Sequence, residues 1–174
     1  MRHPHSPESR ESKDLVYTLD IDYEKCTGCQ SCSVACSLKR ERVCNPLLGR
    51  MQVARWEAEG LHVPVVCHQC EDAPCQRVCP VNALPRNPLH QVIEVDYDRC
   101  IGCRICVLAC PFGAMLVNPH TRKVMKCDHC QGDPLCIHVC QNQAIKYVPL
   151  TQALYAKRMA GSLRVKQYLM AAAT

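Results

Sequence analysis

A chain of 174 residues with one Phe, one Trp and 5% aromatic residues has little of the large apolar material from which a core of this size is built. Its 21 Lys and Arg against 16 Asp and Glu give a formal charge of +5, which invites a nucleic-acid partner until the chemistry of its 17 cysteines is counted. No stretch approaches the roughly 18 consecutive apolar residues of a membrane-spanning helix, which excludes a transmembrane segment.

Residues 1–13, Met1 to Lys13, are rich in charge, His, Pro and Ser and read as a mobile tail. They hold no adjacent arginine pair and no apolar h-region, so no export signal is expected. Leu15 to Ile21 then alternates like a strand and feeds a first motif, Cys26-x2-Cys29-x2-Cys32-x3-Cys36. An insertion follows within Ser37 to Leu61, because Cys26 to Cys67 is 41 residues whereas Cys100 to Cys127 is 27, an excess of 14. Inside it Met51 to Trp56 alternates like an exposed strand, with Trp56 as a packing residue or a partner-contact anchor. Cys44, also in the insertion, belongs to no motif and reads as a structural free thiol.

The second motif is Cys67-x2-Cys70-x4-Cys75-x3-Cys79-Pro80. A strand is predicted over Val92 to Asp96, leading into Cys100-x2-Cys103-x2-Cys106-x3-Cys110-Pro111. Met115 to Val117 reads as a short strand, and Cys127-x2-Cys130-x5-Cys136-x3-Cys140 completes the series before a last strand over Ala144 to Val148. In each motif the x3 step after the third cysteine reads as the start of a short helix, with Pro80 and Pro111 limiting its continuation. From Pro149 the pattern becomes helical, Leu154, Met159, Leu163 and Tyr168 or Leu169 roughly tracking one face, to pack on the chain itself, on a partner or on a membrane surface.

A short C-x2-C-x2-C loop can wrap three thiolates around three iron corners of one cubane, while the fourth cysteine stands about one helical turn further on. In two-cluster ferredoxins that fourth thiolate ligates the neighbouring cluster. Sites sharing a motif must then lie on the order of 10 Å apart, since one turn rises about 5.4 Å. A disulfide framework fits poorly, because the count is odd and cysteines three apart cannot staple distant segments. Zinc ribbons have no use for a third cysteine and an x3 step. Four oxidised cubanes at about −2 each bring the +5 to roughly −3, which removes the nucleic-acid reading. Lys25, Arg99, Arg104 and Lys126 then read as partial compensation for cluster charge. With so little other core material, the clusters should nucleate the fold.

The motifs repeat as A, B, A, B. Asp22-Tyr23-Glu24-Lys25-Cys26 is echoed by Asp96-Tyr97-Asp98-Arg99-Cys100, Val66-Cys67-His68-Gln69-Cys70 by Lys126-Cys127-Asp128-His129-Cys130, and an alanine follows the last cysteine by four at Ala83, Ala114 and Ala144. From Val16 to Val148 this order and spacing resembles the four-cluster iron–sulfur subunits of the dimethyl sulfoxide reductase iron–sulfur family, and is most similar to the small subunit of a tungsten-dependent aldehyde oxidoreductase.

The resemblance implies an α+β fold of tandem bacterial-type ferredoxin units, short β-α-β repeats dense in loops, nucleated by four 4Fe-4S clusters. It implies nested ligand sets: Cys26, Cys29, Cys32 and Cys140; Cys127, Cys130, Cys136 and Cys36; Cys67, Cys70, Cys75 and Cys110; Cys100, Cys103, Cys106 and Cys79. Residues 14–36 with 122–148 would form one unit, 63–121 a second, 37–62 the insertion and 149–174 a helical extension. On the residues alone, sequential pairing of motif one with two and three with four stays open. No motif position is replaced, so no 3Fe-4S site is expected, and His68, His129 and His138 would tune potentials rather than ligate. The implied role is a non-catalytic relay between a molybdenum or tungsten pterin subunit and a flavin subunit, ferredoxin or quinone-linked protein, in the cytoplasm, with self-association at a free end of the row. A free polyferredoxin, or a subunit of a carbon monoxide dehydrogenase, hydrogenase or formate dehydrogenase, is the alternative. No dinucleotide fingerprint or phosphate loop offers substrate chemistry within the chain.

Overall fold

The computed structural model describes residues 16–155 together with 157, 163 and 170. In chain order it runs β1 (Tyr17–Ile21), α1 (Ser31–Glu41), β2 (Gln52–Trp56), β3 (Leu61–Val65), α2 (Pro74–Arg77), α3 (Ile105–Leu108), β4 (Leu116–Val117), β5 (Val124–Met125), α4 (Leu135–His138) and β6 (Ile145–Pro149). Residues 150–155, 157, 163 and 170 are helical. The tail predicted over 1–13 and the remainder of 149–174 lie outside the described residues. Among those described, no helix is long and apolar enough to cross a membrane.

The segment before motif one pairs with the segment after motif four. Strands β1 and β6 run antiparallel, from Tyr17 opposite Pro149 to Ile21 opposite Ile145, and Asp22 N then donates to Ala144 O at 2.9 Å. The repeat reproduces this bond: Asp96 N donates to Ala83 O, also at 2.9 Å, joining the segment before motif three to the one after motif two. Helix α1 packs on α4 and α2 on α3, so motifs one and four share one half of the structure and motifs two and three the other.

The strand predicted over Val92 to Asp96 is not a regular one. Only Ile93 makes a ladder bridge, to Arg86. The bonds are Asn87 N to Val92 O and Glu94 N to Pro85 O, and the opposing segment contains Pro85 and Pro88, which have no N–H to return. The helices also begin one residue before the third cysteine rather than after it. In the A motifs Gln30 (φ 60°) and Arg104 (φ 62°) turn the chain left-handed just ahead of the helix. In the B motifs a proline does the work, Pro74 at the first helical position and Pro134 at the cap.

Two small cores result, and cysteine is part of each. Leu19, Met51, Val66 and Ile145 surround Cys32, Cys127 and Cys136, while Leu84, Ile93, Met115 and Val124 surround Cys75 and Cys106. The insertion folds back as the hairpin β2–β3, with Gln52 opposite Val65 and Trp56 opposite Leu61; Trp56 is 48% exposed. The exposed Cys44 lies between α1 and this hairpin.

Burial of thiols without metal gives a core that cannot close on itself, so chelation should unfold the chain. Removing iron from the purified protein is expected to abolish most far-UV circular dichroism, and a native-like spectrum of the iron-free chain would refute the metal-nucleated core.

Candidate metal centre

The loop of each A motif must reverse within two residues between its first two cysteines. Gly28 (φ +69°) and Gly102 (φ +71°) supply the left-handed backbone there, a conformation in which a Cβ is strained. The two differ in surroundings. A Cβ on Gly102 would meet nothing within 4 Å, whereas one on Gly28 would lie 2.7 Å from the His62 ring, because the insertion hairpin lies over the motif-one loop.

The loops gather the cysteines in fours. Cys26, Cys29, Cys32 and Cys140 line a cavity open to solvent, walled by Val53 and Pro64 of the hairpin. Cys67, Cys70, Cys75 and Cys110 line a second, smaller one, and Cys79, Cys100, Cys103 and Cys106 a third. Cys36, Cys127, Cys130 and Cys136 form the most enclosed group. Burial pushes the Cys127 thiol up to about 12, and Cys136 is raised by burial and then by the thiols of Cys127, Cys130 and Cys36.

The groups are also neighbours of one another. Cys32 acts on Cys136, Cys67 on Cys127, and Cys75 on Cys106, which links the four sites in a row. At its ends Cys29 and Cys103 are exposed, whereas Cys127 and Cys136 in the interior are buried.

Backbone amides reach the sulfur of three of the four fourth cysteines. Ala83 N donates to Cys79 Sγ and Ala144 N to Cys140 Sγ, both at 3.2 Å and each from the residue four positions on. Motif one has Arg40 at that spacing, and Cys36 Sγ receives its bond from Arg50 N in the insertion, again at 3.2 Å. Arg40 and Arg50 both bind the Asp128 carboxylate, Arg50 at 3.1 Å, and the same carboxylate accepts from Cys130 N at 3.1 Å. This clamp fixes the motif-four loop onto α1 and the insertion. Nothing local in the sequence marks Arg40 and Arg50 as partners of Asp128, which lies 88 and 78 residues away from them.

Of the four cations expected to offset cluster charge, Lys25 pairs with Asp22 at 2.9 Å and Arg99 with Asp96 at 3.2 Å. Arg104 lines the cavity of Cys79, Cys100, Cys103 and Cys106, and its buried Nε has no protein partner. Lys126 is almost fully buried. The other buried polar atoms without partners belong to Arg40, Arg50, His62 and His129, all beside or inside the cysteine loops. Among the described residues no three His, Cys, Asp or Glu side chains close on a single metal ion. Thiols spaced around a cavity, with orphaned N–H groups at its edge, fit a multi-atom anionic cluster with sulfur acceptors.

The two glycines give a graded test. Gly102→Ala should cost about 1–2 kcal/mol, the strain of a left-handed alanine. Gly28→Ala should cost distinctly more because His62 must move, and a lower temperature of cluster bleaching for Gly28→Ala than for Gly102→Ala would show it; the reverse order would contradict the contact.

Family models and curated relatives agree with an iron–sulfur reading of these cysteines. Residues 58–149 match the model of a 4Fe-4S dicluster domain, and residues 23–39 that of a 4Fe-4S binding domain. The chain is 37% identical to the uncharacterized ferredoxin MJ0265 of Methanocaldococcus jannaschii, over 76% of this chain and 73% of that one. It is 36% identical to the polyferredoxin-like subunit of the aliphatic sulfonate oxidoreductase of Pyrococcus furiosus, over 80% and 82%. With the thiosulfate reductase electron transfer subunit PhsB of Salmonella typhi it shares 35% identity over 79% and 78%. A solved chain of the active site complex BamBC of benzoyl coenzyme A reductase is 26% identical, covering 86% of this chain and 92% of its own length at a TM-score of 0.49. By its dicluster domain and these relatives, the chain belongs to the ferredoxin-type 4Fe-4S family of non-catalytic electron-transfer subunits of oxidoreductases.

Proposed function

We propose that sixteen cysteines hold four 4Fe-4S clusters in nested sets and that the row relays single electrons between a catalytic subunit and a second redox partner. The sets are Cys26, Cys29, Cys32 with Cys140; Cys127, Cys130, Cys136 with Cys36; Cys67, Cys70, Cys75 with Cys110; and Cys100, Cys103, Cys106 with Cys79. The observation that carries this reading is the gathering of thiols in these fours, three of them around a cavity. In this reading the chain is two ferredoxin-type units, residues 14–36 with 122–148 around 63–121, with 37–62 inserted and 149–174 as a helical extension.

When bound, each 4Fe-4S group accepts and releases one electron. The chain's own residues do the rest. Cys32 and Cys36 on α1, and Cys75 on α2 with Cys79 just beyond it, keep adjoining sites one turn apart, about 5.4 Å of rise. Burial of the inner thiols keeps water from the centre of the row, and exposed Cys29 and Cys103 leave both ends within reach of a partner. Amides donating to Cys36, Cys79 and Cys140 favour negative charge on those sulfurs.

The catalytic partner in this reading is a tungsten or molybdenum pterin oxidoreductase, an aldehyde oxidoreductase being the first choice; an aliphatic sulfonate oxidoreductase and a thiosulfate reductase supply the relatives with named catalytic partners. A flavin subunit, ferredoxin or quinone-linked protein would exchange electrons at the other end. Seventeen free thiols suit a reducing cytoplasm.

Protein purified natively without oxygen should carry about 16 iron per chain, four sites of four, and should co-purify with a larger polypeptide holding molybdenum or tungsten. A lone monomer would instead indicate a diffusible polyferredoxin. The pairing is read from three serine variants: Cys36→Ser and Cys127→Ser should lose the same paramagnetic signal, whereas matching losses in Cys36→Ser and Cys67→Ser would establish sequential pairing.

A further inference from the structure

A lysine withdrawn from water normally has a carboxylate beside it, because an unpaired buried charge is costly. Lys126 does not. Its side chain is 1% exposed, and among the described residues no carboxylate forms an ion pair with it. Its Nζ donates instead to Ile93 O at 2.6 Å, Cys127 O at 3.0 Å and Gln69 Oε1 at 3.3 Å. Three acceptors use three N–H bonds, and only the ammonium form has three. The cage is built for the charged state.

Its position is as specific as its chemistry. Gln69 stands between Cys67 and Cys70, and Lys126 immediately precedes Cys127. Gln69 Nε2 donates to Cys127 O at 2.8 Å while its Oε1 also accepts from Ile93 N at 2.9 Å. The ammonium therefore lies on the seam where the motif-two and motif-four loops meet, at the middle of the row. Its charge also reaches the thiols of Cys70 and Cys75, opposing the rise that burial gives them.

We propose that the Lys126 ammonium is the internal counter-charge of the two central clusters and holds their reduction potentials up. The inference rests on the four-cluster reading. Reduction adds one electron, delivered by the redox partner, to a cluster of about −2 and takes it to about −3. No bond forms and no proton moves. A fixed cation in a water-poor seam stabilises that added charge more strongly than one in solvent, and a carboxylate within the cage would cancel it.

The test uses the whole chain, purified without oxygen, in three variants: Lys126→Met, Gln69→Glu and Lys126→Arg. Iron and sulfide content is measured first, and each sample is then titrated with dithionite while its paramagnetic signals are followed. In Lys126→Met two of the four one-electron transitions should fall by at least about 59 mV, a tenfold weaker reduction equilibrium, while the other two stay in place. Gln69→Glu, which sets a carboxylate against the ammonium, should lower the same two, and Lys126→Arg should leave them near the wild-type values. Fully loaded Lys126→Met and Gln69→Glu with all four potentials unchanged would overturn the proposal. Loss of clusters from both would also overturn it, leaving Lys126 as a hydrogen-bond hub. A wild-type chain with fewer than four clusters would refute the reading beneath, which separates that failure from this one.

Discussion

Third and fourth cysteines four residues apart on a helical turn face the same way yet stand about 5.4 Å apart along the axis, so one turn presents two sulfurs to two different places. That step recurs in all four motifs, across Cys32 and Cys36, Cys75 and Cys79, Cys106 and Cys110, and Cys136 and Cys140. Each turn is therefore a bridge between adjoining sites, and two bridges packed together, α1 on α4 or α2 on α3, enclose a pair of sites between them. The sheets follow from this. With the helices of motifs one and four side by side, the strands flanking them must meet, as β1 and β6 do, and the same logic puts Ala83 opposite Asp96 in the other half.

Bringing many thiols into so small a volume creates an electrostatic difficulty that the apolar residues cannot relieve. Burial raises Cys32 and Cys106 to about 11 and Cys127 to about 12, so the interior favours thiols over thiolates wherever no cation compensates. Iron supplies the compensation locally, and binding it expels protons. The protein's own charges are arranged around that exchange. Surface cations such as Lys25 and Arg99 have carboxylate partners and act weakly across solvent. Arg40 and Arg50 share one carboxylate, Asp128, so their group keeps a surplus positive charge beside Cys36 and Cys130.

The local chemistry of the cysteines was legible in the sequence, because three ligands of a cubane lie within one short loop and spacing alone describes them. The strand preceding motif one and those following motifs three and four were legible for the same reason, their alternation being a property of consecutive residues. What crosses the chain was not. The departure at Val92 to Asp96 had a signal in Pro85 and Pro88, but it counts only once the segments are known to be opposed. Pro74 and Pro134 likewise mark helix starts ahead of Cys75 and Cys136, whereas Pro80 and Pro111 lie beyond the helix ends. Lys126 looked like Lys25, one more cation beside a motif. Only the fold distinguishes a lysine caged by three oxygens from one paired at the surface.

The insertion shows how much of a site such a reading leaves out. Counted as an excess of residues in an otherwise symmetric repeat, it resembles an appendage. Its contacts say otherwise: Arg50 N completes the sulfur bond that motif one cannot make for itself, and Ser33 Oγ on α1 donates to Met51 O at 2.8 Å in the same buried seam. Further along, Val53 and Pro64 wall the cavity of Cys26, Cys29, Cys32 and Cys140, and His62 presses on Gly28. Motif one lacks the bond that Ala83 and Ala144 make because α1 runs on past Cys36 to Glu41, so the residue four positions on is helical and its amide is already engaged. A longer helix thus removes the local donor, and the chain that returns from it restores one. The irregular half of the repeat is where the sequence breaks its own pattern and repairs it from a distance.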